Sequence, residues 1–459
     1  MARLQRLQDR RKWSRVYVIG VTEGHSPSEA ISTSSQGRGL RQGSYFLELK
    51  PAIYNHPMPS ERRTGRGDGL PEVSVIVPAR NEETSLGRCL ESLAGQEGVS
   101  HEIIVVDDHS TDRTLEIAKS FEGLAPGLAS NTGTRSWGAT VVQAGELPLG
   151  WSGKCGALVT GVAEARGEWL LFTDADTEHA PGSLARALDE ARKDGAALLS
   201  YSPAQEVRGL WERALMPVVF AELACAYRPS DVCDPRSDAA AANGQYLLIR
   251  REAYDAVGGH AAVAAEILED VALARLVKRS GRRLRFRFGG DAVRTRMYRG
   301  WAQMREGWTK NLALLFPRPG SLALKRAGEF LLAAGGLATL VGGIALRSRV
   351  AAMAGAVVAV PTWGNFLRRV RRAHFDALST IASPLGLPVF AYLLLRSRRA
   401  WKQGRVKWKG REYGGAGDRA SWRSGDLKPT SEASEGIFQG DNAGPSARPS
   451  SVPVGPRSG

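Results

Sequence analysis

Three uncharged apolar runs lie close together in the C-terminal third of the chain: Phe330–Leu346, Val350–Leu367 and Ala377–Leu395. They contain 17, 18 and 19 residues, and a helix needs about 20 mostly apolar residues to cross the hydrocarbon core of a bilayer. Basic residues flank each run, and residues 301–413 hold 19 Lys and Arg against 4 Asp and Glu. Lysine and arginine beside apolar helices are typical of a membrane protein that faces an anionic cytoplasmic leaflet. The sequence therefore predicts two or three membrane helices within residues 327–397 and a basic juxtamembrane segment at 398–413.

Two other interpretations of this region are weaker. Buried helices of a soluble domain rarely stay uncharged for so long three times in succession, and the sequence contains no recognisable nucleic-acid-binding module. We therefore expect no nucleic-acid partner. Three crossings would place the basic stretch Arg396–Arg411 outside, against the positive-inside tendency. We favour two crossings, with Val350–Leu367 in the interface because it contains Pro361, Trp363 and Asn365.

The two ends of the chain of 459 residues carry little sequence signal. Residues 1–70 are rich in Ser, Gly and Arg without strong periodicity, and we expect a poorly structured extension there. Residues 414–459 are rich in Gly, Ser and Pro, which predicts a disordered tail. The cysteines are too few for a disulfide framework and include no C-x-x-C pair, which favours a reducing compartment; they are Cys89, Cys155, Cys225 and Cys233.

Residues 71–316 alternate short apolar strands with helical patterns. The predicted strands are Val73–Val77, Glu102–Val106, Thr140–Val142 and Trp169–Phe172. Such alternation implies an α/β domain with a mostly parallel sheet. Ligands of these sheets bind beyond the carboxyl ends of the strands, and acidic residues occur at those positions here.

Three acidic pairs need separate interpretations: Asp107 and Asp108, Asp174 and Asp176, and Glu269 and Asp270. The first pair ends a predicted strand, where it either caps the next helix or accepts hydrogen bonds from a base or a ribose. The second pair follows another strand and has the spacing to share a hard divalent cation with substrate phosphates. The third pair begins a predicted helix, where it either stabilises the helix dipole or includes a general base beside the metal site.

The order of these motifs resembles the family 2 glycosyltransferases with a GT-A fold. The matching segments are Val73–Glu83, Val106–Asp112, Leu147–Lys154, Asp174–Asp176, Asn243–Arg251, Glu269–Val271, Arg296–Tyr298, Glu306–Asn311 and Trp408–Tyr413. The resemblance covers roughly residues 71–413 and is greatest to the membrane-anchored branch associated with hopanoids and carotenoid-type lipids. It implies an α/β fold, with a GT-A nucleotide-diphospho-sugar transferase domain built on a Rossmann-like mixed sheet and followed by C-terminal membrane helices.

The resemblance also implies an activity and its residues. The implied reaction is inverting transfer of a single sugar from a nucleotide-diphospho-sugar, expected to be a UDP-sugar, to an isoprenoid-derived membrane lipid. The lipid would be hopanoid-like or carotenoid-like, and the cofactor would be Mg²⁺ or Mn²⁺. The implied roles are nucleotide recognition by Glu82 or Glu83 and Asp108, a phosphate contact by Lys154, a sugar contact by Asp174, metal binding by Asp176, a further substrate contact by Glu269 and general base catalysis by Asp270. The enzyme would be a multi-pass protein of the cell (inner) membrane, with a cytoplasmic catalytic domain against an anionic bilayer.

The chain departs from the family pattern at two places. His109 stands where the family usually has a small residue, and we interpret it as an exposed loop histidine. The Gln-x-x-Arg-Trp motif of the processive synthases is missing, which disfavours polymer synthesis. In its place is the basic amphipathic segment Gly300–Phe316, which includes Met304, Trp308 and Leu312 on one face. This segment either lies in the membrane interface or packs against the catalytic domain.

Two other function classes fit the sequence less well. A nucleotidyltransferase would also place acids near a metal and phosphates, but the glycine-rich basic loop that it needs does not follow Val77. A non-catalytic membrane scaffold has no need for clustered acids, and the chain retains Asp108, Asp174, Asp176 and Asp270 together. A glycosyltransferase is therefore the leading prediction.

Overall fold

A computed structural model describes residues 70–122, 136–408 and 411–413; of residues 136–138 and 411–413 it describes the backbone. The predicted extension before residue 70 and the predicted tail after residue 413 lie outside the described residues. The strands are β1 (Val73–Ala79), β2 (His101–Asp107), β3 (Ser136–Gln143), β4 (Trp169–Phe172), β5 (Thr177–His179), β6 (Leu198–Ser202), β7 (Ala204–Gln205), β8 (Leu247–Arg250), β9 (Leu284–Phe288), β10 (Val293–Thr295), β11 (Val406–Trp408) and β12 (Arg411–Tyr413).

Helices separate most of these strands and make up the C-terminal region. They are α1 (Leu86–Ala94), α2 (Thr114–Ser120), α3 (Gly153–Glu164), α4 (Ser183–Lys193), α5 (Leu210–Ala226), α6 (Pro229–Cys233), α7 (Arg251–Ala256), α8 (Glu269–Arg279), α9 (Trp301–Leu315), α10 (Pro319–Ala345), α11 (Arg349–Val370), α12 (Ala377–Ala382) and α13 (Gly386–Gln403). Short 3₁₀ turns occupy Gly259–Val263, Arg371–Ala373 and Ser383–Leu385.

A seven-stranded mixed sheet in the order β3-β2-β1-β4-β8-β6-β9 forms the centre of the catalytic region. Strands β1 to β4 are parallel, whereas β8 runs antiparallel to both of its neighbours. The register places Ala79 opposite Asp107 and Ile76 opposite Phe172. The carboxyl ends of β1, β2 and β4 therefore meet at one edge of the sheet, and the α/β prediction is confirmed.

Both faces of this sheet are covered by helices, which explains why the central strands β1 and β4 are mostly apolar and buried on both faces. Val75 and Val77 of β1 pack into the core with α1 and α4. Ile76 points to the opposite face and packs with residues of α3 and α8. The alternation of side chains along a strand thus connects two cores through one sheet.

A second sheet, in the order β5-β10-β7, supports the loop that follows β4. Thr295 of β10 donates from its Oγ1 to the carbonyl oxygen of Asp176 over 3.1 Å. This hydrogen bond ties the Asp174–Asp176 loop to a second layer of structure, so the loop is held from both ends.

Helix α9 contains the amphipathic segment for which the sequence allows two placements. Its apolar residues Met304, Trp308 and Leu312 are buried, in a third core with α5 and α13. Leu215 and Phe390 are among the side chains that cover them. The structure therefore favours packing against protein over the membrane interface for this face, because neighbouring helices already remove it from solvent.

Among the residues that the structure describes, three helical stretches are long and apolar enough to cross a membrane: Pro319–Ala345, Arg349–Ala373 and Ala377–Gln403. The first two form an antiparallel pair. In the most apolar part of each, 17% of the residues are buried, against 44% in the third stretch. The third stretch is interrupted between α12 and α13 by the turn Ser383–Leu385. Gly386 follows this turn and lies against the backbone of Ala214 in α5.

Glycines allow α10 and α11 to approach closely. A Cβ atom on Gly355 would overlap the backbone of Leu340, and one on Gly343 would overlap the backbone of Ala352. Small residues at helix contacts are common in membrane helix pairs, where close van der Waals packing drives association. Large side chains such as Leu331 and Val357 are exposed instead, so the apolar surface of this hairpin faces outward.

A buried ionic network joins the base of the hairpin to α5. Arg326 of α10 pairs with Glu222 over 2.9 Å and with Glu329 over 2.8 Å. Arg369 of α11 pairs with Glu329 over 2.7 Å and approaches Glu222 at 3.4 Å. Both uncharged runs of the hairpin lie between this network and the turn at Arg347. The charged side chains therefore separate the apolar part of the hairpin from the catalytic region.

Candidate active site

The loops after β1, β2 and β4 border a cavity of about 530 Å³. All seven of the predicted site residues line it: Glu82, Asp108, Lys154, Asp174, Asp176, Glu269 and Asp270. They come from five separate segments of the chain, and the parallel strands bring the first segments to one edge of the sheet. The structure thus places the predicted residues together, while their individual roles stay predictions.

Lys154 lies at the centre of the acidic cluster. It stands in the first turn of α3, where the Ser152 side chain accepts a hydrogen bond from the Cys155 amide. Its Nζ is 2.7 Å from Asp174 Oδ1 and 2.9 Å from Glu269 Oε1. Burial acts to lower the Lys154 pKa, but the nearby carboxylates outweigh it and hold that pKa well above its ordinary value. Lys154 is therefore a permanent cation between two of the loops.

Asp270 begins α8 and is held by backbone donors. Its Oδ2 accepts from the Gly244 amide and its Oδ1 from the Val271 amide, each over 2.8 Å. Burial, followed by the charge of Glu269, raises the Asp270 pKa to about 6, against the pull of Lys154 and these two amides. A carboxylate with a raised pKa in a cavity is suited to accept a proton near neutral pH.

Gly244 makes this close arrangement possible. A Cβ atom at this position would lie 3.0 Å from Lys154 Nζ and within 3.5 Å of a carboxylate oxygen of both Glu269 and Asp270. A larger residue would therefore push the lysine or the acids out of place. Close packing against Lys154 and the two acids thus explains why a glycine follows Asn243, which the sequence alone did not indicate.

The first acidic pair divides into two roles. Asp108 lines the cavity, and Arg80 Nη1 donates to its carbonyl oxygen over 2.6 Å. Asp107 is buried and accepts from the Ser110 amide at 3.4 Å. Asp112 behaves as a capping acid, because its Oδ1 accepts from the Thr114 amide at the start of α2. His109 is exposed with φ of 54°, consistent with a loop position.

Glu82 and Glu83, the two alternatives for nucleotide recognition, occupy different positions. Glu82 lines the cavity and accepts a hydrogen bond from the Ser85 hydroxyl over 2.7 Å. Glu83 is exposed and accepts from the Arg113 amide over 3.2 Å, at the start of α2. Only Glu82 of the two is therefore placed to meet a ligand in the cavity.

Asp174 and Asp176 occupy the tight turn after β4. The Thr177 hydroxyl donates to the Asp174 carbonyl over 2.7 Å, which closes the turn. Across residues 70–122, 136–408 and 411–413, no three His, Cys, Asp or Glu side chains are grouped closely enough to hold a metal ion. Mg²⁺ commonly needs only one or two protein carboxylates when substrate phosphates complete its coordination. Two carboxylates at the mouth of a polar cavity fit that kind of shared site.

Comparison with known proteins decides the family. The sequence profile of Glycosyl transferase family 2 matches residues 74–258. A relative from Staphylococcus aureus (strain MRSA252), 4,4'-diaponeurosporenoate glycosyltransferase, is 30% identical over 358 residues, which cover 74% of this chain and 88% of the relative. The chain belongs to glycosyltransferase family 2. The predicted family is confirmed, and a transferase activity with it; the nucleotidyltransferase and scaffold alternatives are set aside.

The solved structures that resemble this chain are less similar to it in sequence than the relative from Staphylococcus aureus. The mannosyltransferase PcManGT from Pyrobaculum calidifontis, in complex with GDP-Man and Mn²⁺, is 20% identical with a TM-score of 0.41 and covers 72% of this chain and 87% of its own. Glucosyl-3-phosphoglycerate synthase from Mycobacterium tuberculosis, in complex with Mn²⁺, UDP and phosphoglyceric acid, is 21% identical with a TM-score of 0.35 and covers 53% and 77%. Membership of family 2, together with the seven-stranded mixed sheet, supports the predicted GT-A-like fold of this glycosyltransferase.

Sequence reasoning missed several residues of the cavity wall in this glycosyltransferase. Arg296, Tyr298 and Arg299 line the cavity from the segment between β10 and α9. Lys310 of α9 and Trp408 of β11 line it as well. All of these residues except Arg299 lie in segments that matched the family pattern, but nothing in the sequence indicated that those segments meet.

Proposed function

We propose that this enzyme transfers a single sugar, with inversion, from a nucleotide-diphospho-sugar to an isoprenoid-derived membrane lipid. The observation that carries the proposal is one cavity bordered by all seven predicted acidic and basic residues, in a chain whose C-terminal helices expose apolar side chains. Family membership supplies the class of reaction, and the residues around the cavity suggest the donor, the cofactor and the acceptor.

The donor would bind at the end of the cavity formed by the loops after β1 and β2. Glu82 and Asp108 are carboxylates beside the sheet edge, where they can accept hydrogen bonds from the hydroxyl or N–H groups of a nucleoside. Lys154 carries a positive charge next to Asp174, which reduces the repulsion between this carboxylate and an incoming diphosphate. We expect a UDP-sugar as the donor.

A divalent cation, Mg²⁺ or Mn²⁺, would be held by Asp176 with help from Asp174 and the diphosphate of the donor. Such a cation offsets the negative charge that develops on a diphosphate leaving group. The two carboxylates border the cavity from one turn, which supports this assignment.

Asp270 would act as the general base on the acceptor. Its two backbone hydrogen bonds fix the orientation of the carboxylate. As the acceptor hydroxyl oxygen bonds to the anomeric carbon, its proton passes to Asp270 and the bond from that carbon to the diphosphate breaks. Attack from the face opposite the leaving group inverts the configuration. Positioned general bases contribute about 10²–10⁴-fold to rate.

The acceptor assignment is supported by the relative and by the membrane helices. The relative carries 4,4'-diaponeurosporenoate in its name, and we propose a carotenoid-like acceptor for this chain, with a hopanoid-like lipid as the alternative. Such an acceptor stays in the bilayer, so the active site must lie close to the leaflet surface.

We propose that α10 and α11 cross the bilayer as a hairpin and that α12 and α13 stay on the cytoplasmic side. The exposed apolar side chains of the hairpin support the crossing. The higher burial of Ala377–Gln403 supports placing this third stretch, rather than the second, on the catalytic domain. Both basic clusters, Arg368–Arg372 and Arg396–Arg411, then lie on the cytoplasmic side, which satisfies the positive-inside tendency.

The proposal is tested with membranes from cells that express the enzyme. They are incubated with a panel of UDP- and GDP-sugars, with 4,4'-diaponeurosporenoate added in phosphatidylglycerol vesicles, and the lipid extract is analysed by mass spectrometry. We expect a lipid product that is heavier by one sugar residue with one of the donors. Absence of any such product with every donor, from an enzyme that binds UDP, would contradict a carotenoid-like acceptor.

A further inference from the structure

The C-terminal strand β11 returns to the catalytic cavity after the three apolar helices. Trp408, its last residue, lines the cavity although it is separated by more than 130 residues from Asp270 in the sequence. Val406 of the same strand is buried, and β11 pairs antiparallel with β12. The part of the cavity wall that Trp408 forms is thus anchored by strand pairing and by the burial of Val406.

Helix α9 forms the other part of this wall, and α13 fixes it in place. The Trp401 indole N–H donates to the Lys310 carbonyl over 2.8 Å, and the Ala313 amide donates to the Ser397 hydroxyl over 2.9 Å. These contacts connect the wall to the helix that leads back from the exposed apolar hairpin.

Lys310 points from α9 toward both Trp408 and the acidic cluster. Its Nζ is 5.2 Å from the centre of the Trp408 ring. Burial lowers the Lys310 pKa to about 8, while Glu269, Asp174 and Asp270 are near enough to oppose this shift. The ammonium group therefore lies on the same side as Asp270, where the attacking oxygen must arrive.

We propose that Lys310 and Trp408 form the acceptor subsite, and this inference rests on the proposed function. The ligand class is an apolar chain that ends in an oxygen function, a hydroxyl or a carboxylate. The Lys310 ammonium donates to that oxygen and positions it beside Asp270. The Trp408 ring packs on the hydrocarbon next to the reactive end. Glu82 and Asp108, proposed above to bind the nucleoside, lie on the loops after β1 and β2, whereas Lys310 and Trp408 line the cavity from α9 and β11, so this pair selects the acceptor.

The first test separates acceptor from donor effects by kinetics. Steady-state transfer is measured with 4,4'-diaponeurosporenoate in phosphatidylglycerol vesicles, for Trp408→Ala, Trp408→Phe and Lys310→Met. We expect the acceptor KM to rise about tenfold or more in Trp408→Ala and Lys310→Met, as for loss of a charged hydrogen bond or a buried aromatic contact. Trp408→Phe should lie in between, and the Kd of UDP should be unchanged in all three. The matched control is Lys407→Ala, since Lys407 is exposed on the same strand.

An unchanged acceptor KM in the active Trp408→Ala and Lys310→Met variants would overturn the subsite. So would a weakened UDP affinity equal to the loss of transfer, because the pair would then belong to the donor site. A wild-type enzyme that glycosylates no lipid would instead contradict the proposed function.

A second test needs neither turnover nor a chosen acceptor. Trp408 is replaced by the photoreactive residue p-benzoylphenylalanine, the membranes are irradiated, and the adduct is identified by mass spectrometry. We expect an adduct with an isoprenoid-type lipid at position 408 that is absent when the same residue replaces Lys407. A nucleotide adduct, equal adducts at both positions, or no adduct at position 408 would each overturn the proposal.

Discussion

Two adjacent acids of this site have different environments, and the difference assigns their roles. Glu269 pairs with Lys154 over 2.9 Å, so its charge is matched by a cation. Asp270 accepts backbone hydrogen bonds instead, and burial beside Glu269 raises its pKa. A carboxyl group whose environment raises its pKa toward neutral pH is typical of a general base. Glu269 is therefore a partner of Lys154, and Asp270 is the candidate base.

The pH dependence of the reaction follows from this raised pKa. With an acceptor that carries a hydroxyl group, only the deprotonated Asp270 can take the proton of that hydroxyl, so the rate should increase as pH rises through about 6 and level off above it. The measurement is kcat/KM against pH between 4.5 and 8 for the wild type and for Asp270→Asn, which should lack this limb. A flat wild-type profile across pH 6 would remove Asp270 from the role of base.

Asp176 is predicted to couple donor binding to the cation. In Asp176→Ala, the affinity for UDP should lose most of its dependence on Mn²⁺, because a protein ligand of the shared site is missing. Isothermal titration of UDP with Mn²⁺ and with chelator checks this in both proteins. Wild-type affinity that is the same with and without the metal would count against the site.

At the scale of elements, parallel strands explain why the acidic motifs converge. Apolar runs predicted β1, β2 and β4 from the sequence, and the polar residues after them had to meet at one sheet edge. Trp408 and Lys310 could not be placed in this way, because their meeting depends on the packing of α9, α13 and β11. Uncharged composition also could not distinguish a helix covered by lipid from one covered by protein, as the burial of Ala377–Gln403 illustrates.

The hairpin formed by α10 and α11 gives a topology prediction. Single cysteines at Arg347 and Lys402 should react differently with a membrane-impermeant maleimide in intact cells. Arg347→Cys lies at the turn of the hairpin and should be labelled from outside, whereas Lys402→Cys should react only after permeabilisation. Labelling of Lys402→Cys in intact cells would mean that the third stretch crosses as well.

The ionic network at the base of the hairpin gives a stability prediction. Glu222→Gln removes one carboxylate from two buried arginines, Arg326 and Arg369. Breaking a buried ion pair from one side costs about 3–5 kcal/mol, so the unfolding temperature in detergent should fall clearly. Glu97→Gln, at an exposed position, is the control. Equal unfolding temperatures for the two variants would show that the network contributes nothing to the attachment of the hairpin.

At the scale of the whole molecule, one chain combines a polar candidate active site with a hairpin that exposes apolar side chains. The catalytic sheet supplies the acids, and the helices that follow α9 both expose apolar surface and complete the cavity wall through β11. Under the proposed function, this arrangement lets a water-soluble donor and a bilayer-bound acceptor meet at one site. Strand β11 of the C-terminal region borders the candidate active site, and α10 and α11 form the candidate membrane anchor.

The central claim is that the cavity around Asp270 glycosylates a membrane lipid. The most direct measurement uses purified enzyme in phosphatidylglycerol vesicles with a carotenoid that carries a hydroxyl group and a labelled UDP-sugar, and counts the label in the lipid extract. Wild type and the exposed-site control Asp189→Asn should label the lipid equally, while Asp270→Asn should be slower by about 10²-fold or more with its UDP affinity retained. Equal labelling by Asp270→Asn, or label that never enters the lipid extract, would contradict the account.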